Sequence, residues 1–254
     1  MTQTLTLIGY GEAGRTFARA AGWESDARVF DIKSLAALYE EDAVSGCTMC
    51  EEAVTGSLLI ISLVTADQAL AAAQSVAVSI APSALYFDMN SVAPETKCAA
   101  SNAIVAAGGR YVDVAIMAPV DPARLAVPLL TSGPDAEDGA EALTALGFTN
   151  VRSIGGVIGQ ASSIKMIRSI MVKGQEALTA EMMLAAEAAG VADEVLNSLG
   201  DGWDTKAEYN LERMRTHGNR RAAEMEEVAK TLTALGVEPV MTKGTIRLQR
   251  EMAA

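Results

Sequence analysis

Three glycines near the start of the chain have the spacing of a phosphate-binding turn. Gly9, Gly11 and Gly14 form a GxGxxG pattern between an apolar run and a helical pattern. In such a turn the first glycine makes the bend, the second lets a pyrophosphate approach the backbone, and the third lets the helix pack against the strand. The N–H groups at the start of the helix would then face the phosphates. The pattern predicts a dinucleotide site with contacts from Gly9, Tyr10, Gly11, Glu12, Ala13 and Gly14.

An acidic residue ends the next apolar run. The Asp31 carboxylate is expected to accept hydrogen bonds from the ribose hydroxyls of adenosine and to repel a 2′-phosphate, which favours NAD over NADP. Lys33 nearby could hold a phosphate, so NADP stays open. Leu63, Val64 and Thr65 follow another apolar run. We expect them to flank the cofactor, because strand ends line the ligand crevice of such sheets.

A long helical pattern from residue 160 carries a polar stripe among Ile and Met. Lys165, Ser169 and Lys173 are four positions apart, and Arg168 is three beyond Lys165, so these side chains share one face. One interpretation is a solvated stripe, in which long cationic side chains keep their charged ends in water. The other is a binding site, because the helix follows the nucleotide-binding region and its start would lie at an inter-domain cleft. A lysine there could exchange a proton with a substrate oxygen.

The composition argues against some classes of partner. The chain has 254 residues, half of them apolar, and a formal net charge of −12. No basic cluster is present, which argues against nucleic acid, since its binding depends on grouped Lys and Arg. A small anion can still be held locally. The longest apolar runs are short or interrupted and no targeting segment is visible, so we expect no membrane span and a cytoplasmic protein.

Three cysteines give no disulfide framework, as is usual in a reducing compartment. Cys47 and Cys50 have the spacing of a redox or zinc motif. A second such pair is missing, and a short strand is expected here. The simpler interpretation is therefore that they are small buried hydrophobic residues, and we predict no metal site.

Alternating apolar runs and helical patterns fill the first part of the chain. The alternation predicts crossover connections and an α/β fold with a Rossmann-type doubly wound parallel sheet. The predicted strands are Thr4–Ile8, Ala27–Asp31, Ser57–Ser62, Ala84–Asp88, Tyr111–Met117 and Val127–Thr131. After a glycine-rich passage only helical patterns follow, at 160–189, 193–199, 204–215, 219–235 and 240–252. We therefore predict a dinucleotide-binding domain, 1–155, and an all-helical substrate and dimerisation domain, 156–254.

His217 is the only histidine in the sequence. It is predicted at the start of a helix beside Arg220 and Arg221, where the three could hold a carboxylate or a phosphate. In the alternative interpretation the arginines pair with glutamates of the same helix, such as Glu224, and the histidine is structural.

These motifs together resemble the β-hydroxyacid dehydrogenases, a family that includes 3-hydroxyisobutyrate, tartronate semialdehyde and 6-phosphogluconate dehydrogenases. The resemblance covers essentially the whole chain in layout. It is carried by the GxGxxG turn, by the segment Asp88–Pro94 and by the helix start Gly156–Lys165. Residues 164–169 and His217–Met225 are more similar to a branch with its own helical C-terminal domain.

The resemblance implies roles for individual residues. In the family's D-x-S-T-x-x-P segment, which borders the nicotinamide and the substrate, Asn90 and Ser91 take the two polar positions. The family's catalytic lysine falls on Lys165. Four residues later the family has an Asn for substrate binding, and this chain has Ser169. The family's substrate loop corresponds to Asp113–Pro119, which lacks the usual serine and glycines, so the substrate contacts differ.

The sequence therefore predicts an NAD(P)-dependent oxidoreductase. It would transfer hydride between nicotinamide and the hydroxyl-bearing carbon of a small polar hydroxy or sugar acid, with Lys165 as general acid or base. The predicted substrate, a small anion, would contact Ser91, Ser169, Lys173, His217 and Arg221. The family implies a homodimer. Two alternatives stay open: a non-catalytic dinucleotide-binding sensor, motivated by the missing substrate-loop serine, and an imine reductase.

Overall fold

The computed structural model of the protein describes residues 5–253. The chain forms two compact units, Met1–Lys165 and Met166–Ala254. The first is an α/β unit and the second is helical. Thr4, with which the predicted first strand begins, lies outside the described residues.

One sheet of eight strands forms the centre of the first unit. Its strands are β1 Leu5–Ile8, β2 Ala27–Phe30, β3 Ser45–Gly46, β4 Leu59–Ser62, β5 Leu85–Asp88, β6 Arg110–Ile116, β7 Leu129–Ser132 and β8 Val151–Ser153. They lie in the order β3-β2-β1-β4-β5-β6-β7-β8. Neighbouring strands are parallel except β6 and β7, which are antiparallel. The predicted Rossmann-type α/β fold is confirmed, with one antiparallel pair in its sheet.

Helices connect the strands and make up the second unit. The first unit contains α1 Glu12–Ala21, α2 Ala36–Glu41, α3 Cys50–Val54, α4 Ala69–Ala77, α5 Pro94–Ala106 and α6 Ala136–Ala145, with 3-10 turns at Glu24–Asp26, Ala66–Gln68 and Arg124–Ala126. Helix α7, Gln160–Ala189, begins in the first unit and continues into the second. The second unit also contains α8 Ala192–Ser198, α9 Trp203–Ala234 and α10 Val240–Glu251. The helix predicted at 160–189 is confirmed, and Gly190 follows it in the left-handed conformation.

The central strands are buried on both faces because helices cover both sides of the sheet. Leu59 and Ile61 of β4 enter the core that contains Phe17 of α1. Ile60 between them enters the opposite core with Ile104 of α5. This alternation explains the continuous apolar run of β4, since each side chain has a core to enter. Burial of each such side chain contributes about 1.5–3 kcal/mol.

Two short strands and one strand direction differ from the prediction. The two residues of β3 are exposed and β8 is only partly buried, so neither strand has an apolar run that marks it. β7 runs antiparallel to β6 because the connection between them, 117–128, contains only one short 3-10 turn. A parallel crossover usually contains an α-helix, and this connection has none.

Helix α9 also differs from the prediction, which divides it in two near residue 217. The helix is continuous from Trp203 to Ala234. Gly218 does not end it: the glycine is buried, and a side chain there would overlap the carbonyl oxygen of Gln249 in α10. Gly218 therefore lets α9 and α10 pack closely, and a glycine that resembles a helix break in the sequence is a packing feature.

Candidate functional site

The glycine turn has the backbone geometry that its spacing predicts. Gly9 has a φ of +93°, and its N–H donates to the Phe30 carbonyl at 2.8 Å. A Cβ at Gly9 would lie 2.5 Å from the carbonyl oxygen of Leu63. A Cβ at Gly14 would lie 2.6 Å from the carbonyl oxygen of Gly9. Both positions therefore need glycine for the fold itself.

Gly11 has a different environment from the other two glycines. It is the N-cap of α1, with a φ of −76°, and a Cβ built there would have no atom within 4 Å. The fold does not need a glycine at this position, because alanine could adopt the same backbone. The open space at the start of the helix matches what a pyrophosphate would need, so the residues present fit a dinucleotide.

The Asp31 carboxylate lies next to this turn. Its two oxygens accept hydrogen bonds from the backbone N–H groups of Tyr10 and Lys33, each at 2.8 Å. These contacts fix the carboxylate at the end of β2. Each oxygen keeps a lone pair for another donor, such as a ribose hydroxyl.

The side chain of Tyr10 is part of the protein interior. It is buried, and its hydroxyl donates to Asp42 at 3.0 Å. Burial, together with the bond to Asp42, raises the pKa of the Tyr10 phenol, which therefore stays protonated. Arg15 of α1 pairs with the same carboxylate at 2.7 Å. Glu12 is exposed and Ala13 is half-buried at the start of α1. Contacts of Tyr10, Glu12 and Ala13 with a cofactor stay predictions.

Asn90 joins the ends of β4 and β5. Its side-chain oxygen accepts from the N–H of Val64 at 2.7 Å, and its amide nitrogen donates to the Ser62 hydroxyl at 3.0 Å. The N–H of Leu63 donates to the Ile8 carbonyl at 2.8 Å. Hydrogen bonds therefore connect three segments at the carboxyl ends of the strands: the glycine turn, residues 63–65 and Asn90. Their contact with a cofactor stays a prediction.

The predicted catalytic lysine and a predicted substrate residue are in contact. The Lys165 ammonium donates to the Ser91 hydroxyl at 2.6 Å. Ser91 follows β5 and Lys165 is in the second turn of α7, so the contact joins the end of a strand to the start of the long helix. Both side chains are half-buried. The structure thus brings together two residues that are 74 positions apart in the chain.

Three further charged side chains have no role in the sequence prediction, although Asp88 and Asp113 each begin a segment that it uses. Asp88, Lys97 and Asp113 are fully buried and form what we call the buried trio. The Lys97 ammonium lies 2.8 Å from Asp88 Oδ1 and 3.4 Å from Asp113 Oδ1. Asp88 also accepts from the hydroxyl of Tyr111 at 2.7 Å. Burial and the adjacent Asp88 charge raise the pKa of that phenol well above its usual value, so it remains a donor.

Asp113 also caps the start of α7. One carboxylate oxygen accepts from the N–H groups of Gly159 and Ser162, both at 3.1 Å. The other accepts from the Ser162 hydroxyl at 2.6 Å. Ser132 of β7 adds an acceptor for the N–H of Ala161 at 3.0 Å. The first turn of the helix that carries Lys165 is therefore anchored to β6 and β7.

A signal for the buried trio exists in the sequence but needs the fold to be interpreted. Two apolar strands, β5 and β6, carry aspartates that turn out to be register partners, Asp88 and Asp113. Two carboxylates side by side in a buried sheet need a cation, and Lys97 follows in the next helix. Sequence alone does not show that the two strands are neighbours.

The predicted substrate residues of the second unit are paired with protein groups. Lys173 is buried, donates to Ser169 at 3.2 Å and pairs with Glu224 at 2.9 Å. Arg221 is also buried and makes a two-bond ion pair with Glu176. Their roles toward a substrate stay predictions, and a substrate anion would have to compete with these carboxylates.

The interpretation of His217 as a helix-start residue is wrong. It lies in the middle of α9, where backbone N–H groups bond within the helix, so the argument from a helix N-terminus does not apply. Arg220, three residues on, is exposed and lies 3.9 Å from Glu224 on the same helix. A substrate contact from His217 stays a prediction.

Among residues 5–253 no group of three or more His, Cys, Asp or Glu is arranged to hold a metal ion. No helix in that range is both long and apolar enough to cross a bilayer. Cys47 and Cys50 are half-buried free thiols. Burial raises the pKa of Cys50 to about 11, which disfavours the reactive thiolate.

A Rossmann-type unit followed by a helical unit is the two-domain architecture of 3-hydroxyisobutyrate dehydrogenases. The Mycobacterium tuberculosis enzyme, solved with L-serine, shares this fold at 16% identity, with a TM-score of 0.77 over 99% of this chain and 94% of its own. An imine reductase from Aspergillus terreus shares it at 19% identity and a TM-score of 0.64, over 100% and 97% of the two chains. These likenesses establish the fold alone.

More similar structures define the family. A conserved hypothetical protein from Sinorhizobium meliloti is 35% identical, covering 98% of this chain and 88% of that one, with a TM-score of 0.78. The conserved protein MTH1747, whose structure is described as similar to 3-hydroxyacid dehydrogenases, is 30% identical over 98% and 96% of the two chains, with a TM-score of 0.76. Residues 186–252 match the model of a domain of unknown function, DUF1932. The chain belongs to the family of 3-hydroxyacid dehydrogenase-like proteins, as its resemblance to the β-hydroxyacid dehydrogenases indicates.

The different environments of the glycines give a testable prediction. Gly11→Ala should fold with a loss of about 1 kcal/mol or less, because only an N-cap preference changes. Its Cβ would occupy the open space of the turn, so affinity for NADH should fall about tenfold or more, equivalent to about 1.4 kcal/mol. Fluorescence titration with NADH and thermal unfolding measure the two effects.

Gly14→Ala is the matched control for this experiment. Its Cβ would lie 2.6 Å from the Gly9 carbonyl oxygen, so it should destabilise the fold by about 1–3 kcal/mol. Wild-type NADH affinity in Gly11→Ala would show that the turn does not hold the pyrophosphate.

Proposed function

We propose that the protein is an NAD(P)-dependent oxidoreductase that acts on a small polar acid. The hydrogen bond between Lys165 and Ser91, 2.6 Å long, is the observation that carries the proposal. It holds an ammonium group at the strand ends, next to the Asn90 connection to the glycine turn. A proton donor beside a dinucleotide site is the arrangement that hydride transfer to a carbonyl group requires.

The chain's own residues would bind and orient the cofactor. The open space at Gly11 and the start of α1 would receive the pyrophosphate, and Asp31 would accept the ribose hydroxyls. A bound nicotinamide dinucleotide would supply or accept the hydride. Asn90 holds the ends of β4 and β5 together and so keeps residues 63–65 in place beside this edge.

Lys165 would hold the proton at its Nζ and exchange it with the reacting oxygen. Ser91 fixes the direction of the ammonium group and offers a hydroxyl to the substrate. A positive charge at this position favours an anionic or developing alkoxide oxygen. The solved 3-hydroxyisobutyrate dehydrogenase with L-serine supports a small acid that carries a hydroxyl group. Because Lys173 and Arg221 are ion-paired, the proposal depends on the first unit alone.

We also propose a homodimer, as the family resemblance implies. Ile164, Ile167, Met171 and Leu178 of α7 are exposed apolar side chains spaced along one face. Met171→Glu should convert a dimer into a monomer in light scattering. A wild-type protein with the mass of one chain would contradict the proposal.

Asp31 should make NAD the preferred cofactor. Its carboxylate is held at the end of β2, where it would repel a 2′-phosphate. Asp31→Ser should weaken NADH binding and improve NADPH binding, so that the preference falls by about tenfold or more, or about 1.4 kcal/mol. Titration of the wild type and of Asp31→Ser with NADH and NADPH measures this preference. If the wild type bound NADPH more tightly than NADH, the prediction would be wrong, and Lys33 would be the candidate to hold the 2′-phosphate.

Lys165→Ala should abolish most turnover and leave cofactor affinity unchanged. Loss of a general acid or base reduces the rate by about 10²–10⁴-fold. The assay is a panel of hydroxy acids, sugar acids and amino alcohols with NAD and NADP, followed by absorbance of the reduced cofactor. Turnover retained in Lys165→Ala on a proven substrate would show that the lysine has another role.

Lys230→Ala is the matched control, since Lys230 is an exposed lysine of α9 paired with Glu227 at 2.5 Å. It should leave turnover unchanged. Cyclic imines are added to the panel with NADPH, because an imine reductase shares the fold. Cofactor binding without turnover of any compound would favour the sensor.

A further inference from the structure

Lys97 is the buried cation that joins the two carboxylates behind the candidate site. We propose that Lys97 is a positioning residue: through Asp88 and Asp113 it sets the distance between Lys165 and Ser91. The importance of that distance for catalysis rests on the proposed function. The mechanical role of the buried trio does not, because it concerns only contacts within the first unit.

Lys97 is linked to Ser91 through Asp88 and Asn90. Lys97 Nζ donates to both the carbonyl oxygen and Oδ1 of Asp88, at 2.6 and 2.8 Å. Asp88 Oδ1 in turn accepts from the backbone N–H and the side-chain amide of Asn90, at 3.0 and 2.8 Å. Ser91 is the next residue. Its backbone position after β5 is therefore fixed by groups that Lys97 holds.

Lys97 is linked to Lys165 through Asp113 and the first turn of α7. Asp113, 3.4 Å from the Lys97 ammonium, accepts the N–H groups of Gly159 and Ser162 and the hydroxyl of Ser162. These contacts fix the axis and the rotation of the first turn of α7. Lys165 follows about one turn after Ser162 in the same helix, so these contacts also fix the position of its Cα.

Charge explains why one ammonium group controls both sides. Asp88 and Asp113 are register partners on parallel strands and neither is exposed to water. Two carboxylates on adjacent strands, both removed from water, repel each other unless a cation lies close to both. Without Lys97 at least one of them would turn away, and it would release either Asn90 or the start of α7.

Lys97 donates its hydrogen bonds to Asp88, a residue of the protein interior, so its role differs from that of a catalytic residue. A residue that merely stabilises the fold would lower the unfolding temperature without changing the environment of Lys165. A positioning residue changes the environment of Lys165 in a protein that remains folded. The chemical reactivity of the Lys165 amine separates these two cases without an assay of turnover.

The test is acetylation of the intact protein by limiting acetic anhydride, with the rate at each lysine measured by mass spectrometry. In Lys97→Met, acetylation of Lys165 relative to the exposed Lys230 should rise several-fold, because its contact with Ser91 is lost. Ile104→Ala removes a fully buried side chain from the same helix and is the control for loss of stability. It should leave the Lys165 to Lys230 ratio at the wild-type value.

Asp113→Asn keeps the test decisive if Lys97→Met does not fold. This variant leaves one ammonium group, on Lys97, and one carboxylate, on Asp88, so the two charges balance. It removes one of the carboxylate oxygens that accept hydrogen bonds from the start of α7. The Lys165 ratio should again rise several-fold. An unchanged or lower ratio in the folded variants, or an equal rise in Ile104→Ala, would overturn the proposal.

Turnover serves as a second readout that separates this proposal from the proposed function. On a substrate identified with the wild type, the folded trio variants should lose kcat and keep the KM for NAD. If the wild type oxidises or reduces nothing, the proposed function fails, and the acetylation ratio still decides the role of Lys97.

Discussion

An ammonium group and two carboxylates that are removed from water have to lie in contact, so that their attraction offsets the loss of hydration. Taking each ion from water costs several kcal/mol, and only near contacts and further hydrogen bonds can offset that cost. In this protein Asp88, Lys97 and Asp113 meet that condition, with donors from Asn90, Tyr111, Ser132 and Ser162 completing the set. The geometry of the candidate site depends on this constraint, because the groups that satisfy the trio are the ones that fix Ser91 and the start of α7.

Much of the fold could be predicted from local patterns. Continuous apolar runs mark strands buried on both faces, and the length of α7 follows from a helical pattern that ends at Gly190. Patterns of this kind do not identify short strands at the edge of a sheet or places where two helices pack closely. The short strand β3 has no apolar run, and Gly218 resembles a break until α10 is placed against it. The missed features are thus set by tertiary neighbours.

The same limit applies to the candidate site. Lys165, Ser91 and the glycine turn are identifiable because each belongs to a motif of adjacent residues. The buried trio is different: Asp88 and Asp113 each begin a motif segment, but Lys97 belongs to none. The three meet only because β5 and β6 are neighbours in register. A buried lysine in an otherwise ordinary helix gives no signal until the two aspartates are placed beside it.

The first turns of α1 and α7, two of the helices that begin in the first unit, are completed in different ways. The N-cap of α1 is Gly11, which has no side chain and leaves open space, so an external anion can complete that turn. The first turn of α7 is completed by Asp113 and Ser132, which leaves no role there for a ligand phosphate. The start of α1 is therefore open to an anion, while the start of α7 is held by protein groups. Because α7 is held in this way, Lys165 can keep one position whether or not a cofactor is bound. Under the proposed function, this difference accounts for the carboxylate at the start of α7 and the glycine at the start of α1.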